Sequence, residues 1–77
     1  MSQKAHDEME NYIMGAYWRL LDALKNLHHA KRLAIDLDKK GIFDTLDEVT
    51  DRVENAIWKM KENYTIREML KVKEDEH

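Results

Sequence analysis

The chain between residues 13 and 37 reads IMGAYWRLLDALKNLHHAKRLAIDL, and apolar residues recur in it at alternating steps of three and four. Eight residues on this spacing are all apolar: Ile13, Ala16, Leu20, Ala23, Leu27, Ala30, Ala34 and Leu37. We call this set the alanine seam, because alanine recurs in it every seven residues at positions 16, 23 and 30. Such a run predicts a long helix with one packed face. Its small residues would let a second helix approach closely while its large ones interdigitate.

The end of this first helix is predicted at Gly41, directly after two lysines that suit the negative end of the helix dipole. Glycine readily adopts the left-handed conformation that ends many helices. Replacing Gly41 with alanine would then cost about 1 kcal/mol. Thr45 and Glu48 have the spacing of a capping box, which predicts the start of a second helix. The turn is therefore expected from Gly41 to Asp44.

The second helix is predicted from a further apolar stripe, with Ile57 and Tyr64 beside it. The stripe comprises Leu46, Val49, Val53, Ala56 and Met60. Near Asn63 the pattern loosens, and Thr65 with Glu68 has capping-box spacing, so a kink or a fresh short helix is expected there. Because a short turn joins antiparallel neighbours, the fold class predicted for residues 1–77 is a single-domain, all-α, antiparallel two-helix hairpin.

A lone hairpin of this length is too thin to bury much apolar surface, so we expect it to self-associate into a four-helix or larger bundle. Architecturally, this arrangement resembles the plasmid copy-number regulator Rop. The first helix carries apolar residues beyond the alanine seam, and these predict the contact between chains. The predicted oligomer interface comprises Ile13, Met14, Tyr17, Trp18, Leu21 and Leu24.

The composition of the chain excludes several classes of function. The chain has no proline, no cysteine and two glycines, which favours long helices and excludes thiolate chemistry. The formal net charge of −3 gives no general attraction to nucleic acid or to anionic membranes. The polar N-terminal residues do not resemble a signal peptide, and no stretch is apolar enough to span a bilayer, so we expect a cytoplasmic protein.

Metal and catalytic sites are not expected. The acidic residues around Gly41 resemble an EF-hand loop over twelve residues, but Lys40 occupies a position that needs a ligand oxygen, and helix caps explain the same acids. His6 and Glu10 lie one helical turn apart and could share a metal, although surface residues commonly show this spacing. The one serine, Ser2, has no partners for a catalytic triad. We therefore predict no enzyme activity, no cofactor and no metal.

One polar cluster, late in the first helix, is the tentative ligand-binding site. With the turn at residues 41–44, Trp58 is expected opposite Asn26 and close to His29. An aromatic ring can stack on a nucleobase, and basic side chains beside it can bind the phosphate of the same nucleotide. The alternative is that the aliphatic parts of the lysine and arginine side chains cover the apolar core, while Trp58 packs in a contact between two copies of the chain. The tentative site comprises His28, His29, Arg32 and Trp58.

Two short resemblances bear on function. Residues 53–58, VENAIW, resemble the Leu-Glu-Glu-Ala-apolar-Trp run of phage cyclic-oligonucleotide sponges, with the tryptophan one position earlier. That resemblance implies a helical hairpin that binds a nucleotide. The spacing of Arg32, Gly41 and Thr50-x-x-Val53-Glu54 resembles small hairpin phosphatases of sporulation regulators, whose Ser-x-x-Leu-Asp signature is not reproduced here.

The function expected from the sequence is non-catalytic. We expect a small self-associating helical module that binds a protein partner as an adaptor or inhibitor. The alternative is a helical-hairpin binder of a nucleotide or other small anion, as in phage anti-defence proteins. RNA binding through the edge from His28 to Arg32 is a weaker third interpretation. A ligand should quench the fluorescence of Trp58, whereas a purely structural role predicts no response.

Overall fold

Three α-helices make up the fold. The computed structural model describes residues 3–75, with side chains described for residues 3–71. The helices are α1, Gln3–Asp36, then α2, Lys40–Glu62, and α3, Tyr64–Asp75. No strand occurs within residues 3–75. The all-α prediction is confirmed, and the break expected near Asn63 separates α2 from α3.

The first helix is long because nothing in it stops the helical pattern. It runs for 34 residues without proline, and its one glycine, Gly15, is helical. At 1.5 Å per residue this gives a rod about 50 Å long, and the longest dimension of the structure is 53 Å. The length of α1 therefore sets the length of the whole molecule.

The predicted position of the turn is wrong. Helix α1 ends at Asp36, and Asp38 has the positive φ, 55°, that had been expected at Gly41. Aspartate tolerates the left-handed conformation better than most residues, so Asp38 can end the helix three positions earlier. Gly41 lies in the first turn of α2 without a positive φ.

Both predicted capping boxes are also wrong. Thr45 lies inside α2, where its hydroxyl donates to the carbonyl oxygen of Gly41 at 3.2 Å. The N-cap position of α2 belongs to Lys39. At α3, the side-chain oxygen of Asn63 accepts a hydrogen bond from the backbone N–H of Ile66 at 3.0 Å. Asparagine is one of the best N-cap residues, so α3 begins directly after Asn63, earlier than Thr65.

Side-chain contacts show how α1 lies against α2. Near the turn, Lys31 Nζ lies 2.7 Å from Asp47 Oδ1. At the far end of α2, Lys61 Nζ lies 5.9 Å from the ring centre of Tyr17. Positions that descend along α1 meet positions that ascend along α2, so the two helices lie side by side and run in opposite directions.

The core lies where all three helices meet. Its buried side chains are Met14, Tyr17, Ile57 and Leu70. Partly buried apolar residues pack around them: Leu20, Leu21, Leu24, Val53, Met60, Ile66 and Met69. Because α3 contributes Leu70 to this cluster, α3 covers the part of the helix pair farthest from the turn.

Candidate functional site

An aromatic groove lies on one side of the helix pair, beside Trp58. The indole of Trp58 is 65% exposed. The groove is lined by Leu21, Leu24, Glu54, Ile57, Trp58 and Lys61. A second depression on the other side of Trp58 is lined by Asn55, Lys59 and Glu62. Trp58 is thus an exposed apolar side chain between two depressions. Each depression is lined by one acidic and one basic side chain, Glu54 and Lys61 in the groove and Glu62 and Lys59 in the other.

The structure brings together only part of the tentative ligand site. His28 Nε2 lies 3.9 Å from Glu54 Oε1, which places His28 at the end of the aromatic groove. Of the described side chains, His29 and Arg32 are exposed and line neither depression beside Trp58. The expected cluster of His29, Arg32 and Trp58 is therefore not found.

The position of the turn explains this difference. A turn at residues 41–44 would have placed Trp58 opposite Asn26. The turn after Asp36 instead places Trp58 beside Leu21 and Leu24. That change is about one helical turn along α1. Among the described side chains, the bases that line the depressions beside the ring are Lys59 and Lys61, and His29 and Arg32 line neither depression.

Lys31, which precedes Arg32 in α1, has a structural role. Its side chain is largely buried and pairs with Asp47. Its Nζ also lies 5.5 Å from the ring centre of Phe43. A lysine held between a carboxylate and an aromatic ring joins α1 to α2 and is not available to a ligand phosphate.

The six residues predicted at the oligomer interface fall into three groups: buried, half-buried and exposed. Met14 and Tyr17 are buried in the core of the chain itself. Ile13, Leu21 and Leu24 are half-buried, and Leu21 and Leu24 line the aromatic groove. Trp18 is 40% exposed, and its ring meets Tyr17 edge-on at 5.6 Å. Because α2 and α3 already cover Met14 and Tyr17, a second chain would have to use other residues.

The alanine seam and the stripe of α2 form the opposite side of the helix pair. The contacts from Lys31 to Asp47 and from His28 to Glu54 mark the side of the aromatic groove. The residue directly before each contact residue is rotated by about 100° around its helix, away from the groove; these residues are Leu27, Ala30, Leu46 and Val53. We call this side of the helix pair the apolar side, and it comprises the eight residues of the alanine seam with Ile42, Leu46, Val49, Val53, Ala56 and Met60.

The apolar side is open along its outer edge, at Ala16, Leu37, Ile42 and Val49, whereas its inner members Leu20, Val53 and Met60 pack against the core. All of its residues except Ala34 are at least partly exposed. The most exposed are Leu37 at 67% and Ile42 at 56%, both beside the turn. Ile42 extends the stripe of α2, which was predicted to begin at Leu46. Its position seven residues before Val49 is the signal that could have placed it in the stripe.

One group of possible metal ligands occurs near the start of α1. His6 Nδ1 lies 3.5 Å from Glu10 Oε1, and a carboxylate oxygen of Asp7 lies within 4.8 Å of both. His6 and Asp7 are exposed, and Asp7 already accepts a hydrogen bond from Gln3 at 2.9 Å. An ion pair one helical turn apart accounts for His6 and Glu10 without a metal.

Comparison with known proteins yields no relative: no family model, no curated protein and no solved structure matches this chain. Within the described residues, no helix has both the length and the apolar character needed to cross a membrane. The function must therefore be argued from the surfaces of the molecule.

Proposed function

We propose that this protein is a non-catalytic helical interaction module. In this proposal, α1 and α2 form a hairpin that self-associates through the apolar side into a bundle. The bundle then binds another macromolecule, as an adaptor or an inhibitor, through the aromatic groove beside Trp58.

The observation that carries the proposal is the surface area of a single chain. Its accessible surface is 6231 Å². A compact monomer of 9.2 kDa is expected to expose about 4,900 Å². The excess of about 1,300 Å² is larger than the roughly 800 Å² per partner that a standard protein interface buries. A second chain on the apolar side would remove an excess of this size.

The shape of the chain supports the same conclusion. The Cα radius of gyration is 16.0 Å. A compact domain of this length is expected to have a radius of about 11.5 Å. The molecule is a rod of 53 × 22 × 18 Å, so it is two helices thick over most of its length. Side-by-side association thickens such a rod and gives each helix a second neighbour.

The aromatic groove suits a protein partner better than a phosphate-bearing ligand. Exposed tryptophans are among the residues most often found as anchors of protein interfaces. Glu54 and Lys61 line the groove together, and Lys59 and Glu62 line the second depression together. Paired opposite charges around an apolar centre are typical of the rim of a protein interface.

Self-association is tested by light scattering on the purified protein at micromolar concentration and after dilution. We expect at least twice the chain mass of 9.2 kDa, falling with dilution. Leu37→Glu should shift the mass towards one chain, because a charge would be buried on the apolar side. A wild-type protein that is monomeric throughout would contradict the proposal.

The matched control is Ile35→Glu. Ile35 is 63% exposed, close to the 67% of Leu37, and lies at the same end of α1. It lines a shallow groove with Phe43, on the side of the Lys31–Asp47 pair. The same charge at this position should leave the mass unchanged. Equal dissociation by both variants would show that the apolar side is not the contact.

Partner binding is tested by comparing the proteins retained from the native host by wild type, Trp58→Ala and Tyr64→Ala. Tyr64 is 67% exposed and lies outside the groove, so it matches Trp58 in exposure and aromatic character. We expect one partner that Tyr64→Ala retains and Trp58→Ala loses, with both variants at the wild-type mass. Equal retention by both variants would argue against the groove.

A further inference from the structure

We propose that the second copy lies on the apolar side with its turn at the opposite end of the bundle. The two chains are then related by a two-fold axis perpendicular to the helices. This inference rests on the proposed self-association and specifies the contact and its direction.

The residues farthest out on the apolar side change in size along the molecule. On α1 they are Ala16, Ala23, Ala30 and Leu37, which follow one another every seven residues. Leu37, beside the turn, is 67% exposed, whereas the three alanines towards the other end project little above the backbone. On α2 the order is Ile42, Val49 and Ala56, again from large beside the turn to small. The apolar side is therefore bulky at the turn and shallow at the other end.

A second copy whose turn lies at the opposite end complements this change in side-chain size. Helix α1 then lies along the same helix of the partner, so Leu37 meets the partner's Ala16 and Ala30 meets the partner's Ala23. Along α2, Val49 meets the partner's Ala56. Leu37 and Val49 each face an alanine, and where Ala23 meets Ala30 the two helices can approach closely. The contact is isologous, because the same surface serves both chains.

The pairing between α1 and α2 allows one axis to serve both helices. The middle of the α1 set lies next to Leu27, and the middle of the Val49–Ala56 pair lies next to Val53. The contacts from Tyr17 to Lys61 and from Lys31 to Asp47 place these two levels side by side. A single axis through that level therefore pairs large with small residues on both helices.

The arrangement with both turns at the same end fits poorly. Helix α1 would then lie along the partner's α2. Leu37 would meet the partner's Ile42, bulky against bulky, and Ala23 would meet the partner's Ala56, small against small. Contact between these two large residues would hold the helices apart at the turn and leave the alanines at the other end loosely packed, and both effects destabilise an interface.

Disulfide formation distinguishes the two arrangements, because the natural chain has no cysteine. In the double variant Ala23→Cys/Ala30→Cys, each new thiol faces the other thiol of the partner. Oxidation should convert this variant to a covalent dimer on a non-reducing gel. Within one chain the two positions lie about 10 Å apart, which is too far for a disulfide.

The single variants Ala23→Cys and Ala30→Cys are the controls. Equivalent positions on the two chains are also about 10 Å apart in the opposed arrangement, so neither single variant should form a covalent dimer. A mixture of Ala23→Cys chains with Ala56→Cys chains reports the same-end arrangement. That mixture should likewise stay unlinked.

The outcomes separate this inference from the proposed function. A covalent dimer from the double variant alone supports the opposed arrangement. A protein at dimer mass whose double variant stays unlinked overturns this inference and leaves self-association standing, whether or not the Ala23→Cys and Ala56→Cys mixture links. A single-chain mass in light scattering overturns both.

Discussion

The backbone N–H of Lys39 donates to the carbonyl oxygen of Ala34 at 2.8 Å, and this bond closes the end of α1. One residue earlier, the N–H of Asp38 donates to the carbonyl oxygen of Ile35 at 3.0 Å. Together with the φ of 55° at Asp38, these bonds form a Schellman motif. The motif sets the turn and thereby the pairing of α1 with α2, which decides which residues share a side of the molecule.

Asp38→Gly should therefore stabilise the protein by about 0.5–1 kcal/mol, because glycine adopts the left-handed conformation without the steric cost of a side chain. Urea unfolding measures the change as a higher midpoint with the same slope. The control is Asp36→Gly, in the last turn of α1, which should be destabilising because glycine weakens a helix. Loss of stability in Asp38→Gly would contradict the positive φ at this position.

Gly15→Ala should stabilise the protein by about 1 kcal/mol, because alanine is the better residue in the interior of a helix. A Cβ built at Gly15 meets no atom within 4 Å, so the added methyl needs no rearrangement. The melting temperature should rise by several degrees. Gly41→Ala, which also has open space, should be neutral or mildly stabilising, the reverse of the result expected if Gly41 ended α1. A lower melting temperature for both variants would contradict their helical placement.

Ala34→Leu should destabilise the protein by about 1–3 kcal/mol, because a closely packed site cannot admit a larger side chain without strain. Ala34 is 5% exposed, and Thr50, which is also small, is 1% exposed on α2. A small buried residue on each helix, Ala34 beside the turn and Thr50 in the middle of α2, indicates a close approach of the helices. Ala5→Leu, at an exposed position of α1, is the control and should leave the unfolding midpoint unchanged. Equal midpoints for both variants would show that α1 and α2 are loosely packed beside the turn.

Asn63→Ala should cost about 1 kcal/mol by removing the N-cap of α3. Because that cap binds the N–H of Ile66, amide hydrogen exchange should accelerate in α3 more than in α1. Asn55→Ala is the control, since Asn55 is exposed in the middle of α2, where alanine is the better helix former. Uniformly faster exchange along the chain would argue against a local role for Asn63.

Local patterns in the sequence were sufficient to predict the helices. Apolar residues every three or four positions and the absence of proline indicate long helices whatever their neighbours are. The weakening of that pattern near Asn63 correctly marked the break before α3. Trp58 lies off the apolar stripe of α2, and it is 65% exposed.

The turn and everything that depends on it required the three-dimensional structure. Asp38 and Gly41 can both take a left-handed conformation, and the preference between them is only about 1 kcal/mol. Packing of Phe43 beneath Lys31 and burial of Ala34 can outweigh so small a difference. Moving the turn by three residues shifts one helix along the other by about a turn. This shift, with Leu70 of α3 in the core, buried Met14 and Tyr17. It also left His29 and Arg32 outside both depressions beside Trp58, and left Leu37 and Ile42 exposed beside the turn.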